Sequence, residues 1–264
     1  MARRSSGAAS ATYCQKNKLM DIIYLILSAF AVLITLTVHE YFHGYAAYKL
    51  GDRTAEKLGR LSLNPLRHID PIGALCMIFF HFGWAKPVPV NTRYFKNPKR
   101  DFAIVALAGP VSNFVLAIIS AFIYLLIYAL LRDVSFTSEF LFGLAENTLN
   151  FFMIFHLVNV GIGIFNMIPV PPLDGSRVLG AFLPYRIYNK MLEHERTIYY
   201  ILIGWLLLGD SAAAFLLSSP IVTASPVLTV LAKILSLPDL LGYAIEGISS
   251  AIFYLFELIP FLKA

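Results

Sequence analysis

The 264-residue chain alternates long apolar runs with short polar stretches, and the lengths of those runs predict its elements. A helix needs roughly 20 mostly apolar residues to cross the hydrocarbon of a bilayer. Runs of that kind extend from about Asp21 to Tyr48, Phe102 to Leu131, Leu149 to Val170, Ile198 to Leu217 and Leu241 to Leu262. The piece from Pro220 to Leu237 is broken by Pro226 and reads either way. Ile72 to Phe82, IGALCMIFFHF, is too short for a crossing and suits a re-entrant or interfacial element. The pattern predicts an all-α polytopic membrane protein. Its parts are a three-helix core over about residues 21–186, accessory transmembrane helices over about 198–264, and a short re-entrant element able to form a β-hairpin. Residues 1–20 lack the apolar core and cleavage site of a signal peptide and read as a flexible leader. The remainder, 21–264, reads as a single transmembrane domain.

Composition agrees: 58% hydrophobic and 14% charged residues exclude an ordinary soluble enzyme. The net charge of +5 does not point to nucleic acid, because the basic residues lie in short loops beside apolar runs, where they set orientation and meet lipid headgroups. Two cysteines, Cys14 and Cys76, form neither a disulfide framework nor a CxxC metal site. The region from Lys49 to Asp101 holds ten Lys or Arg against four in the leader, which places it on the cytoplasmic side. The loop from Arg132 to Thr148 carries one Arg beside Asp133, Glu139 and Glu146 and is expected outside. Arg177, Arg186, Lys190 and Arg196 bring the following segment back inside.

Chemistry enters with VHEYFHG, Val38 to Gly44, late in the first span. His39 and His43 lie four residues apart, one turn on one helix face, so both imidazoles can reach one Zn²⁺. Glu40 beside them can take a proton from the water that such a metal activates and pass it to a leaving amine. With six His and eight Glu in the chain, a shuffled sequence would contain HExxH about 0.004 times. An ionisable triplet on a spanning helix also costs a few kcal/mol. A catalytic zinc takes three protein ligands and keeps one position open. The other histidines form no second pair, but Asp174 in FNMIPVPPLDG, Phe165 to Gly175, stands at the end of the third span where three prolines stop the helix. From spacing alone it is either the third ligand or an interfacial aspartate at a helix terminus. The two motifs share a membrane depth only if the first and third spans run parallel, with one antiparallel span between them and no crossing by Ile72 to Phe82. The charge count gives that same arrangement, with the site near the cytoplasmic face.

HEYFHG and Asn166 to Gly175 together resemble the HExxH and NxxPxxxLDG motifs of the site-2 protease family of intramembrane zinc metalloproteases. RLSLNPLRHIDPIG (Arg60 to Gly73), GWAKPVPVN (Gly83 to Asn91) and AGPVSN (Ala108 to Asn113) are similar to the small bacterial and archaeal members, and the resemblance covers roughly Asp21 to Arg186. It implies one Zn²⁺ per chain on His39, His43 and Asp174, with Glu40 as general base and Asn166 steadying the scissile carbonyl or its oxyanion. It also implies cleavage of single-pass transmembrane substrates in a prokaryotic cell membrane. Asn113 is a candidate for orienting active-site groups or for interhelical packing. His68 and Asp70 are expected to shape the re-entrant element, and His81 and His156 to make interhelical contacts. A helical substrate hides its carbonyls, so the apolar piece from Ile72 to Phe82 and the following KPVPVN segment, with Val88 and Val90, are expected to form an edge that pairs with an unwound substrate by strand addition. The alternative of another class is a metal transporter using His and Asp as a transit site. Only Glu246 and Glu257, away from the motif depth, favour it.

Overall fold

The protein is described by a computed structural model covering residues 5–71, 73, 85–219, 225, 229 and 236–263, with side chains from residue 20 onward apart from 210, 237 and 238. Its helices are α1 (Ser5–Lys49), α2 (Thr54–Lys57), α3 (Pro98–Leu131), α4 (Glu139–Met167), α5 (Asp174–Phe182), α6 (Tyr185–Glu193), α7 (Glu195–Leu217) and α8 (Leu237–Glu257). Four helical stretches are long and apolar enough to cross a membrane: Met20–Lys49, Pro98–Leu131, Glu139–Met167 and Asp239–Glu257. Helix α7 adds a fifth if its segments Glu195–Gly209 and Ser211–Leu217, bent by 48°, count as one span. This is the predicted all-α polytopic membrane fold.

Several boundaries differ from expectation, those of α1 and α4 among them. Helix α1 begins at Ser5, so the stretch expected to be a flexible leader continues the first helix from there; SSGAASA contains no proline to stop it. Helix α4 starts ten residues before the predicted Leu149, because Glu139 to Thr148 continues the helix although it is too polar to be read as membrane. The Ser138 side chain accepts from the Phe140 N–H and caps that start. The same helix stops at Met167, short of Val170, ahead of Pro169. The predicted re-entrant element at 72–82, with His81, and most of 220–237 lie outside the described residues.

Helices α1, α3 and α4 form the core. The His43 ring bonds the Val105 carbonyl, and an atom added at Gly109 would strike His39 and His43, so α1 and α3 run antiparallel. His156 meets the Ala117 carbonyl and Gly163 faces the Phe114 ring, so α3 and α4 are antiparallel as well. The first and third spans are therefore parallel, as their shared motif depth requires. Helix α8 leans on this core through Phe253, which packs on Tyr124 and His156, and Phe256, which packs on Phe122. Leu202, Trp205 and Leu206 of α7 pack with Ile168 and Leu173, so an accessory helix supports the turn that leads into α5.

The segment between α2 and α3 is fixed from below. Asp52, fully buried, accepts from Thr54 N–H at 2.9 Å and from Asn91 N–H at 2.6 Å. Lys86 N–H donates to the His68 carbonyl, Arg60 donates to the Lys86 carbonyl, and one antiparallel bridge joins Ile69 to Ala85. His68 thus ties this segment to Lys86, while the re-entrant element it was expected to shape lies outside the described residues. Val90 and Phe95 then pack between the end of α1 and the start of α3. The result lays Pro87 to Val90 alongside the HExxH face of α1.

Candidate active site

His39, His43 and Asp174 converge. Their Nε2, Nε2 and Oδ2 atoms are separated by 2.9 Å between the histidines and by 3.2 and 3.3 Å from each histidine to the aspartate. Among the described residues they are the group of His, Cys, Asp or Glu that could hold a metal ion. Asp174 does not end the third span as predicted. It opens α5, where the positive end of the helix dipole favours a carboxylate. Gly175 makes this fold-back feasible, since an added Cβ would lie 2.3 Å from the Met167 carbonyl oxygen.

The hydrogen bonds show what the cluster requires. His43 Nδ1 lies 2.7 Å from the Val105 carbonyl, which only accepts, so Nδ1 carries the proton and Nε2 presents a lone pair. Asp174 Oδ2 is buried and has no hydrogen-bond partner. Lone-pair atoms crowded at these separations repel unless a cation sits among them. Ligands at 2.0–2.1 Å around a tetrahedral zinc stand roughly 3.3 Å apart, close to the separations here. The donor set, two imidazoles and a carboxylate, leaves a fourth position for water or substrate.

The trio lines a cavity of about 350 Å³ together with Glu40, Pro87, Val88, Val90, Asn166 and Arg177, among others. Glu40 Oε2 accepts from the Val88 N–H at 2.8 Å. The Val88 side chain is buried and its N–H is engaged with the candidate base, so Val88 supports Glu40 from behind the site. Val90 lines the same cavity, and its N–H has no partner among the described residues. Asn166 also reaches the cavity, with one amide N–H on the Ile162 carbonyl at 3.0 Å. It stands one residue before the end of α4 at Met167, ahead of the turn that leads to Asp174. Asn113, fully buried, sits behind the site with its amide 3.1 Å from His39 Nδ1.

Two residues escaped the sequence reading. Arg177 was counted only as a loop charge, yet it lines the cavity and donates to Glu195 at 2.7 Å. Burial opposes its charge, while Tyr188 and Glu195 more than offset that and hold its pKa above the ordinary value. Its position three residues after Asp174, on the same helix face, was the available signal. Pro110 interrupts α3 beside the site and removes the N–H that would bond the carbonyl of Ala106, a cavity-lining residue.

Comparison with known proteins agrees with this geometry. The profile of Peptidase family M50 matches residues 27–209. The chain is 40% identical over 172 residues to YwhC of Bacillus subtilis, named as a candidate zinc metalloprotease, which covers 65% of this chain and 74% of that one. It is 31% identical over 159 residues to Rip2 of Mycolicibacterium smegmatis, named likewise, covering 58% of this chain and 54% of that one. For Rip2 of Mycobacterium tuberculosis the figures are 29% over 157 residues, 57% and 55%. The chain thus spans about half the length of the Rip2 relatives. No solved structure matches it. The profile match takes in both motifs and every residue of the candidate cluster, and the chain belongs to peptidase family M50, the site-2 protease family.

Proposed function

We propose that this metalloprotease holds one Zn²⁺ on His39, His43 and Asp174 and hydrolyses peptide bonds within or near the transmembrane segments of single-pass membrane proteins, from the cytoplasmic side of a prokaryotic cell membrane. The observation that carries the reading is the convergence of those three ligand atoms beside Glu40 in one cavity, with His39, Glu40 and His43 on a helix long and apolar enough to cross a membrane. When bound, the zinc ion supplies a Lewis acid that makes water nucleophilic near neutral pH. Glu40 accepts the proton of the attacking water and returns it to the leaving amine. Its bond to Val88 fixes one carboxylate oxygen and leaves the other for that transfer. Asn166 has a second amide N–H beyond the one on Ile162, suited to the charge that develops on the scissile carbonyl oxygen. The transport alternative gains nothing, since Glu246 and Glu257 are exposed on α8 and do not line the cavity.

Metal removal tests the reading. Cleavage of a model single-pass substrate in detergent is expected to stop after chelation and to return on adding zinc; cleavage by the metal-free protein would contradict it.

Strand addition narrows to Val90. Val90→Pro removes one backbone donor, worth about 1 kcal/mol, or roughly a fivefold effect. Cleavage of a helical transmembrane substrate is expected to fall by about that factor, with a short unstructured peptide affected much less. Equal losses on both substrates would rule out pairing at this edge.

A further inference from the structure

Behind the metal ligands, four buried side chains in the three-helix core keep a polar atom without a hydrogen-bond partner: Thr35 Oγ1, Asn113 Oδ1, Asn159 Oδ1 and His156 Nε2. Unpaired buried polar atoms are costly, and each calls for an explanation. The helix register orders three of them. His43 lies opposite Gly109 and His39 opposite Asn113, so Thr35 falls opposite Ala117. Gly163 faces Phe114 and His156 meets the Ala117 carbonyl, which brings Asn159 between the levels of Phe114 and Ile118. Thr35 and Asn159 therefore approach from two helices, each within about one turn, or about 6 Å, of the level of Asn113.

The chemistry of His39 assigns a role to this group, and the step rests on the metal reading above. If Nε2 binds the metal, the neutral ring carries its proton on Nδ1 and needs an acceptor there. The Asn113 atom at that place is the amide nitrogen, which only donates, while its carbonyl oxygen is the orphan. A half-turn of the amide exchanges the two within the same volume. The oxygen then accepts from His39 Nδ1–H, and the nitrogen becomes a donor on the side where Thr35 and Asn159 offer acceptors. Thr35 makes no direct bond to Asn113, although its hydroxyl could donate to the carbonyl, so a bridge is needed. One water accepting from Asn113 and from Thr35, and donating to Asn159, leaves none of the three unpaired.

We infer that Asn113 is a positioning residue that holds His39 for the metal through its carbonyl, and that a water bound between Thr35 and Asn159 holds Asn113 in turn. The test is zinc affinity of the full-length protein in detergent, by competition with a chelator, alongside the melting temperature of the metal-free protein. Asn113→Leu is expected to weaken zinc by about 10- to 100-fold. Asn113→Asp, which accepts but cannot donate, should stay within about threefold of wild type, since a carboxylate behind a zinc-bound histidine is a familiar partner. Thr35→Val, nearly isosteric, should weaken zinc severalfold without lowering the metal-free melting temperature, and should add little further loss to Asn113→Leu. Wild-type affinity in Asn113→Leu or Thr35→Val, or an Asp variant as weak as the Leu variant, would overturn the inference and leave the metalloprotease reading standing. A wild-type protein that binds no zinc would overturn that reading and this inference with it.

Discussion

Glu40→Gln should keep about one zinc ion per chain and lose cleavage by roughly a thousandfold, within the range that a general base contributes. The amide fills the space of the carboxylate and still accepts from the Val88 N–H, so the cavity wall should survive the change. What it cannot do is take the proton of the attacking water. Glu40 is not one of the three atoms that converge on the metal position, so metal retention is a separate readout from activity. Zinc content and the rate of cleavage of a single-pass substrate check both halves. Loss of zinc together with activity would place Glu40 among the ligands; an active variant would deny it the role of base.

Gly109→Ala should lower zinc affinity by about a hundredfold, comparable to losing support for a ligand. The added methyl would stand 2.5 Å from His43 Nε2 and 2.6 Å from His39 Cε1, closer than real contacts allow. Relief must come from the rings or from the buried middle of α3, and a shift of either carries the ligand atoms apart. Chelator competition measures the loss, and the metal-free melting temperature separates it from general unfolding. Wild-type zinc affinity in this variant would mean that the imidazoles do not lie against α3 as described.

The spans were legible because crossing a bilayer demands a length of apolar residues that few other constraints imitate. HExxH was legible because its chemistry is local, two imidazoles one helical turn apart. Asp174 was reachable only through its motif, since spacing could not separate a ligand from an interfacial aspartate. Boundaries failed where polarity and helicity part company: Glu139 to Thr148 is helical without being apolar. The supporting residues failed for another reason. Gly109 matters for what it leaves empty against rings more than sixty residues away, and the Val88 N–H matters as a backbone group whose side chain gives no hint of it. Arg177 reads as a topology charge until α5 folds back onto α4 and places it at the cavity. Such roles depend on contacts between distant parts of the chain.

The most direct measurement is the zinc stoichiometry of the detergent-purified protein together with X-ray absorption at the zinc edge. The expected result is about one zinc per chain bound by two imidazole nitrogens and carboxylate oxygen, with the signal lost in Asp174→Ala. A protein without zinc, or one whose zinc shows sulfur ligands from Cys14 or Cys76, would contradict a metal centre built from His39, His43 and Asp174.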